Sequence, residues 1–455
     1  MPIIGLPSKF PKYRDYQING KIYSQSMKKL LVTSETLCID STSEGICTSK
    51  FILTLHRAGY QVYCLTSDAQ LTGKVGEFTL PWLDDVPIKH IYDGNQPEQK
   101  LRRKSSTIEN KLQAAVAHLT GWNTMTWRSV GQWRKALRQC ISEVKPDIIF
   151  VRSAGMNFHP HLAISSMKID IPWVAHYHDP FPISLYPEPY RRVKPVLSAN
   201  QERHNNRILA RASALTFPSE RLQKWMVGSR SESLLAKSYI LPHLASDIDL
   251  ESAMLPITIP ICKDQFNLIH LGTILGARNP NTLIQAYQSF LAGSDERKAQ
   301  SKLFLIGPVH KKQLLENPLW KQCIEQGNLV ILDQRISYRE SLMIGKLATI
   351  LVLIEAESHE SPFFPGKLAD YLWLRKPILA LTPDLSTTRD ILGVNYELLA
   401  PPTNERVIEA ALSTAWNRWK EGKIASLLPS RMILDEISEE TVVNRVDMII
   451  QNMEK

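Results

Sequence analysis

The chain is short of the features that assign a function most quickly. Its six cysteines, at positions 38, 47, 64, 140, 262 and 323, form no Cys-x-x-Cys pair, which speaks against a disulfide framework or a zinc site and for a reducing compartment. No run of about 18 apolar residues occurs, so no transmembrane helix is expected. The opening residues MPIIGLP lack the charged and long apolar regions of a secretory signal. There is no Gly-x-x-x-x-Gly-Lys-[Ser/Thr], Gly-x-Ser-x-Gly or His-Glu-x-x-His motif, and ATPase, serine-hydrolase and zincin readings lose their main support. No internal repeat or low-complexity tract appears. A cytoplasmic protein is expected.

What remains is ordinary globular composition, 44% hydrophobic and 22% charged over 455 residues. That length exceeds one core and divides naturally into two domains of about 200 residues each. The net charge of +9 is concentrated. Between Lys100 and Cys140 nine Lys/Arg face one acid, Glu109, which is nearly the whole excess. Trp122, Trp127 and Trp133 share the stretch with Leu112, Val116, Leu119, Val130 and Leu137. Three readings fit: a helical pair packed on its domain with a solvated basic face, an anionic membrane surface, or nucleic acid. No nucleic-acid-binding signature accompanies the charge, so no nucleic-acid partner is expected.

The chain order alternates strands and helices. Residues 1–27 read as an extended leader. Strand 29–33, a helix through 49–57 and strand 61–65 make a βαβ unit, which implies a parallel sheet. Strands at 146–151, 172–176, 213–217 and 239–242 continue a first domain over 28–242, with the basic helical segment at 100–140. Residues 243–264, with Pro256 and Pro260, read as a linker. The alternation restarts with strands at 266–271, 302–306, 329–332, 349–354 and 378–381, giving a second domain over 265–430 and a C-terminal helix over 431–455. The expected fold is α/β: two doubly wound parallel-sheet domains, Rossmann-like, facing across a cleft.

The segment SPFFPGKLADYLWLRKPILAL, from Ser361 to Leu381, is the most informative. Pro365 and Gly366 suit a loop and a first helical turn, where free N–H groups and the helix dipole favour phosphate. Lys367 can meet a pyrophosphate, and Asp370 can hold a pair of sugar hydroxyls or simply favour the dipole. His270, Gly272 and Thr273 end another strand, with Arg278 close behind. Gly272 admits close backbone approach, and Arg278 offers a bidentate fork to phosphate. Glu355, Glu357 and Glu360 follow strand 349–354, either at a donor-sugar edge or as a surface acidic loop. In the first domain HYHDPFP follows a strand, and His176, His178 and Asp179 there can act as acid, base or transition-state stabiliser. A zinc site and a loop-bonding aspartate are the competing readings. Gly45, ahead of its helix, can admit a phosphate or acceptor or be a plain turn.

Taken together, the ordered fragments resemble a GT-B glycosyltransferase, specifically the large retaining family 4. The likeness spans roughly residues 28–400. LIHLGTILGARNPNTLIQAY resembles that family's donor-domain opening, and LATILVLIEAESHESPFFPGKLADYLWLRKPILAL its nucleotide-binding segment. KPDIIFVRS and IPWVAHYHDPFP resemble acceptor-domain strands of bacterial polysaccharide-assembly members. The resemblance implies that Gly272 and Arg278 touch donor phosphates with Lys367 nearby, that Asp370 holds the ribose, and that His178 and Asp179 line the reaction centre. It implies a nucleotide-sugar donor, a glycan or lipid-linked acceptor, retention of configuration and no metal cofactor. The family often carries two glutamates seven residues apart. Here the later acid is Asp370, position 362 is Pro, and Glu360 stands near the first without matching its spacing. A non-catalytic partner in a membrane-associated polysaccharide complex and a sugar-nucleotide epimerase are the alternatives.

Overall fold

The computed structural model describes residues 16–18, 21–23, 28–37, 42–70, 83, 85–93, 107–153, 158–228, 230–245, 259, 261–274, 276–309 and 316–454. Lys100 to Lys104, most of the expected leader and most of the expected linker lie outside them. Within the leader, Tyr16–Ile18 pairs antiparallel with Lys21–Tyr23.

The chain divides into two compact units, one of residues 1–186, 191–244 and 439–455, the other of residues 187–190 and 245–438. The first holds a seven-stranded sheet, in spatial order Ile88–Asp93, Gln61–Gln70, Lys29–Ser34, Ile148–Val151, Trp173–His176, Ala214–Phe217 and Ser238–Ile240. Every neighbouring pair is parallel. The second holds six parallel strands, in order Leu329–Leu332, Ser301–Ile306, Phe266–Leu271, Ile350–Ile354, Ile378–Leu381 and Leu399–Ala400. Both sheets run 3-2-1-4-5-6 from one edge, the doubly wound order, with a switch point between strands 1 and 4.

Burial explains why these segments read as continuous apolar runs rather than alternations. Phe266–Leu271, Ile350–Ile354, Ile148–Val151 and Ala214–Phe217 are buried at every position because helices cover both faces. The 88–93 and 399–400 strands, missed by periodicity, lie at sheet edges.

The terminal region departs from expectation. It is not one helix over 431–455 but two, Arg431–Glu436 in the second unit and Glu439–Met453 in the first. The latter returns to the first domain because Val442, Val446, Ile449 and Ile450, at helical spacing, are buried there. Arg57 pairs with Glu439 at 2.9 Å, and Lys28 with Glu454.

The basic segment forms helices Thr107–Thr120 and Thr124–Val144. Its tryptophans serve the domain: Trp133 is 1% exposed, while Trp122 stacks on Phe181 and meets His204. Trp127 donates from its indole to Thr120 Oγ1 at 2.6 Å.

Candidate functional site

In the second unit, residues expected from separate motifs meet at the switch point. Strand Phe266–Leu271 ends at Gly272, whose φ of +109° favours glycine. A Cβ at Gly272 would lie 2.9 Å from Lys367 Nζ. That ammonium donates to Leu271 O at 2.6 Å, tying the helix Gly366–Trp373 to the strand end. Gly307, ending the next strand at φ +135°, lies closer still: a Cβ there would come within 2.5 Å of the Gly272 backbone. Only two glycines allow these turns to stack.

The helix Gly366–Trp373 begins at Pro365 with no side-chain cap. Many helices among the described residues are capped instead, as Ser219, Ser294, Ser337, Ser386 and Asn404 show. Of its first-turn amides, Leu368 N–H is taken by Pro365 O at 2.8 Å, which leaves those of Gly366 and Lys367 without a capping side chain and suited to an anion. Arg278 is half-buried, and its Nε has no hydrogen-bond partner. Burial, reinforced by the Arg278 charge and partly offset by Asp370, pulls Lys367 down to about 7. Two cations held close, one with an orphaned N–H, form a cradle that an anion would relieve. Thr273 sits half-buried between Gly272 and Ile274.

Asp370 is buried, and Tyr338 donates to its Oδ1 at 2.7 Å. Tyr371 bridges the strands beneath: its hydroxyl oxygen accepts from the Leu271 N–H at 3.1 Å. His270 holds Val352 O through Nδ1 at 2.9 Å, and burial beside Lys367 keeps it well below the usual imidazole range. The acidic trio separates. Glu355, fully inside, accepts from Ser361 at 2.5 Å, Thr382 at 2.7 Å and Thr388 at 2.6 Å. It ties the strand Glu360–Ser361, the end of strand Ile378–Leu381 and the helix Thr387–Leu392 together and is not a surface acid. Glu360 lies in a two-residue strand that pairs with Leu385–Ser386, and Glu357 is exposed.

In the first unit, His178 and Asp179 follow strand Trp173–His176, His178 buried and Asp179 half-buried. His178 Nε2 lies 3.4 Å from Arg152 Nη2. Arg152 also donates to Thr48 Oγ1 at 3.2 Å and rests 4.7 Å over the Phe51 ring. Its complete burial draws it down to about 9, still charged near neutrality. His176 packs edge-on to His178, and His243 stacks on it at 5.4 Å. His161 meets Ser153 Oγ at 2.5 Å. Burial first and the Arg152 charge second hold His176 and His178 well below 6.5 and His243 at about 3; burial likewise takes His161 to about 3. The imidazoles are therefore neutral donors and acceptors. Glu35 accepts from the His159 backbone N–H at 3.1 Å, with the His159 ring 2.8 Å away.

Arg152, His161, His243 and Glu35 were not singled out from the sequence. Each follows a different strand or opens a helix, and only the strand order brings them together. Gly45 is corrected in place. It lies inside the helix Ser43–Arg57, not ahead of it, and its N–H is taken by the capping Thr42 at 3.0 Å.

The sequence model of Glycosyltransferase Family 4 matches residues 49–231. No curated protein matches the chain. Solved structures are similar over nearly the whole length. An α,α-trehalose-phosphate synthase (UDP-forming) from Burkholderia xenovorans, in complex with glucose-6-phosphate, has TM-score 0.61 at 10% identity, covering 93% of this chain and 100% of that one. A trehalose-6-phosphate protein from E. coli, bound with UDP-2-fluoro glucose, has TM-score 0.56 at 12% identity, covering 94% and 99%. A glycosyltransferase from Rickettsia africae has TM-score 0.55 at 11% identity, covering 94% and 97%. Identities this low establish a shared fold and nothing about ligands. With two doubly wound parallel sheets and a family match over residues 49–231, the chain has the GT-B fold, and its first domain is similar to Glycosyltransferase Family 4.

Proposed function

We propose that the chain moves a sugar from a nucleotide-sugar donor to a glycan or lipid-linked glycan, with retention of configuration, in polysaccharide or glycoconjugate assembly. One observation carries this reading: Arg278 with its orphaned Nε, the depressed Lys367 and an uncapped helix N-terminus converge where strands 1 and 4 of the second sheet part. That is a diphosphate cradle at the position where doubly wound sheets bind ligands.

In the proposed reaction the bond from the anomeric carbon to the diphosphate oxygen breaks, and the nucleoside diphosphate leaves with the electron pair. The acceptor hydroxyl oxygen bonds to the same face, and its proton passes to a diphosphate oxygen. Arg278, Lys367 and the main-chain amides of Gly366 and Lys367 stabilise the departing charge, so no metal enters the proposal. Gly272 and Thr273 supply the close backbone wall, and Asp370, fixed by Tyr338, takes the ribose hydroxyls. His178 and Asp179 serve the sugar and acceptor side, His178 as a neutral hydrogen-bonding group rather than an imidazolium. A cytoplasmic site, peripheral on a membrane, completes the reading. No helix among the described residues is long and apolar enough to cross one.

Calorimetric titration with UDP-, GDP- and dTDP-sugars tests it. Binding of one, with free nucleoside diphosphate released only when acceptor is added, is the expected result. Binding to none would favour the non-catalytic partner, the reading that Pro362 supports. Donor consumed without any acceptor would point to an epimerase.

A further inference from the structure

We infer that the first domain docks on an anionic lipid surface through one composite face, built from the helix Thr107–Thr120, the start of the helix Thr124–Val144 and the segment 191–196. The inference rests on the membrane-peripheral reading and changes which residues make the contact.

Large apolar side chains left in water are the first sign. Leu112, Leu119, Met125, Val193 and Val196 are 60%, 74%, 61%, 48% and 46% exposed. Leu112 and Leu119 stand two helical turns apart on one face. Met125 opens the next helix, directly after the turn at Gly121. Segment 191–196, RRVKPV, is exposed at every position and runs into the helix Pro195–Arg211. That helix is fastened to the helix Thr107–Thr120 and the turn after it: Asn200 donates to His118 O and Gln201 to Gly121 O, each at 2.8 Å. Five exposed apolar side chains thus lie on adjoining elements of one domain.

Charge selects the partner. No acidic residue occurs from Asn110 to Cys140 or from Tyr190 to Gln201. Lys111, Arg128, Arg191, Arg192 and Lys194 are exposed among the apolar side chains. A protein partner needs apolar contact and a polar rim of either sign, and nucleic acid needs charge with little aliphatic surface. Aliphatic residues interleaved with cations of one sign match an anionic bilayer. The tryptophans, which composition alone nominates, are committed to the domain, so Leu119, Met125, Val193 and Val196 are the inserted residues.

Co-sedimentation of the full chain with phosphatidylcholine vesicles, with and without phosphatidylglycerol, tests this. Wild type should bind only the anionic vesicles. Leu119→Asp with Met125→Asp, and separately Arg191→Glu with Arg192→Glu, should each lower the partition coefficient on the order of tenfold or more. Val394→Asp, an equally exposed site in the second unit, should not. Circular dichroism checks that the variants fold, and nucleotide-sugar titration on the same samples reports the donor reading separately. No wild-type binding, or binding untouched by both pairs, overturns the inference. Loss on charge reversal with full retention in the aspartate pair also overturns it, since it would mark a purely electrostatic polyanion surface.

Discussion

The second sheet ends in charges and the first mostly in neutral rings. At Gly272 a guanidinium and the Lys367 amino group stand together beside one carboxylate, and with Lys367 at about 7 its neutral fraction can gain a proton when an anion arrives. At the corresponding switch of the first sheet a single guanidinium, Arg152, is embedded among four imidazoles, all depressed by burial. The same strand order therefore yields two chemistries. Close backbone approach through glycine leaves room for a ligand to supply the counter-charge. Aromatic and imidazole packing instead fills the space and leaves shape and hydrogen bonding as the means of recognition.

Arg278→Ala should break the charged side of this contrast most severely. Losing one preorganised donor to developing charge lowers turnover on the order of 10²–10³-fold, with the thermal midpoint nearly unchanged; unaltered turnover would remove Arg278 from the mechanism. Gly307→Ala comes next. Its Cβ would meet the Gly272 backbone at 2.5 Å, so the strand-end turn must shift. A displacement near 1 Å costs on the order of 10²-fold in turnover, and wild-type kinetics in this variant would show that the glycine stacking is dispensable. Glu355→Gln tests the support behind the cradle. The NH2 of the new side chain cannot accept where a carboxylate oxygen did, so a hydroxyl it faces loses its acceptor, at a cost of about 1–3 kcal/mol in urea unfolding. A smaller change would show that water replaces the bond.

The mildest expected effect concerns pH. Lys367 at about 7 lies below its ordinary 10.5, so between those values the free protein holds fewer protons than the unfolded chain, and stability from this group rises with pH across that window. A bound diphosphate reverses the preference by raising the ammonium's value. Donor affinity should therefore be greatest below about pH 7 and weaken as pH rises through it. His161, His176, His178 and His243, already neutral, should add no inflection near 6.5. An inflection that vanishes in His178→Gln would contradict their neutrality.

Much of the second site was legible because its parts are local. A glycine ending a buried strand, or Pro-Gly-Lys opening a helix, announces itself within a few residues. The acid at 370 was visible, but its partner Tyr338, 32 residues away, was not. The first site resisted because its members follow four strands and share no spacing. His176 and His178 were seen, whereas Arg152, His161 and His243 became meaningful only once the strand order placed them together. Glu355 stays open in the sequence between a donor-sugar edge and a surface acidic loop because a carboxylate after a strand carries no mark of burial; the three hydroxyls that hold it are spread over 361–388. The tryptophans stay open between a domain-facing and an outward role for a related reason. Helical spacing shows that residues share a face, yet not whether that face meets protein or water.

Proton uptake on titrating the chain with UDP, GDP and dTDP at pH 8, from calorimetry in buffers of differing ionisation enthalpy, measures the cradle most directly. Binding of one nucleotide should draw up to about one proton from solution, as Lys367 recharges against the diphosphate, and Lys367→Met should abolish the uptake. Binding without proton uptake, or uptake that persists in Lys367→Met, would contradict a diphosphate held at Gly272, Arg278 and Lys367.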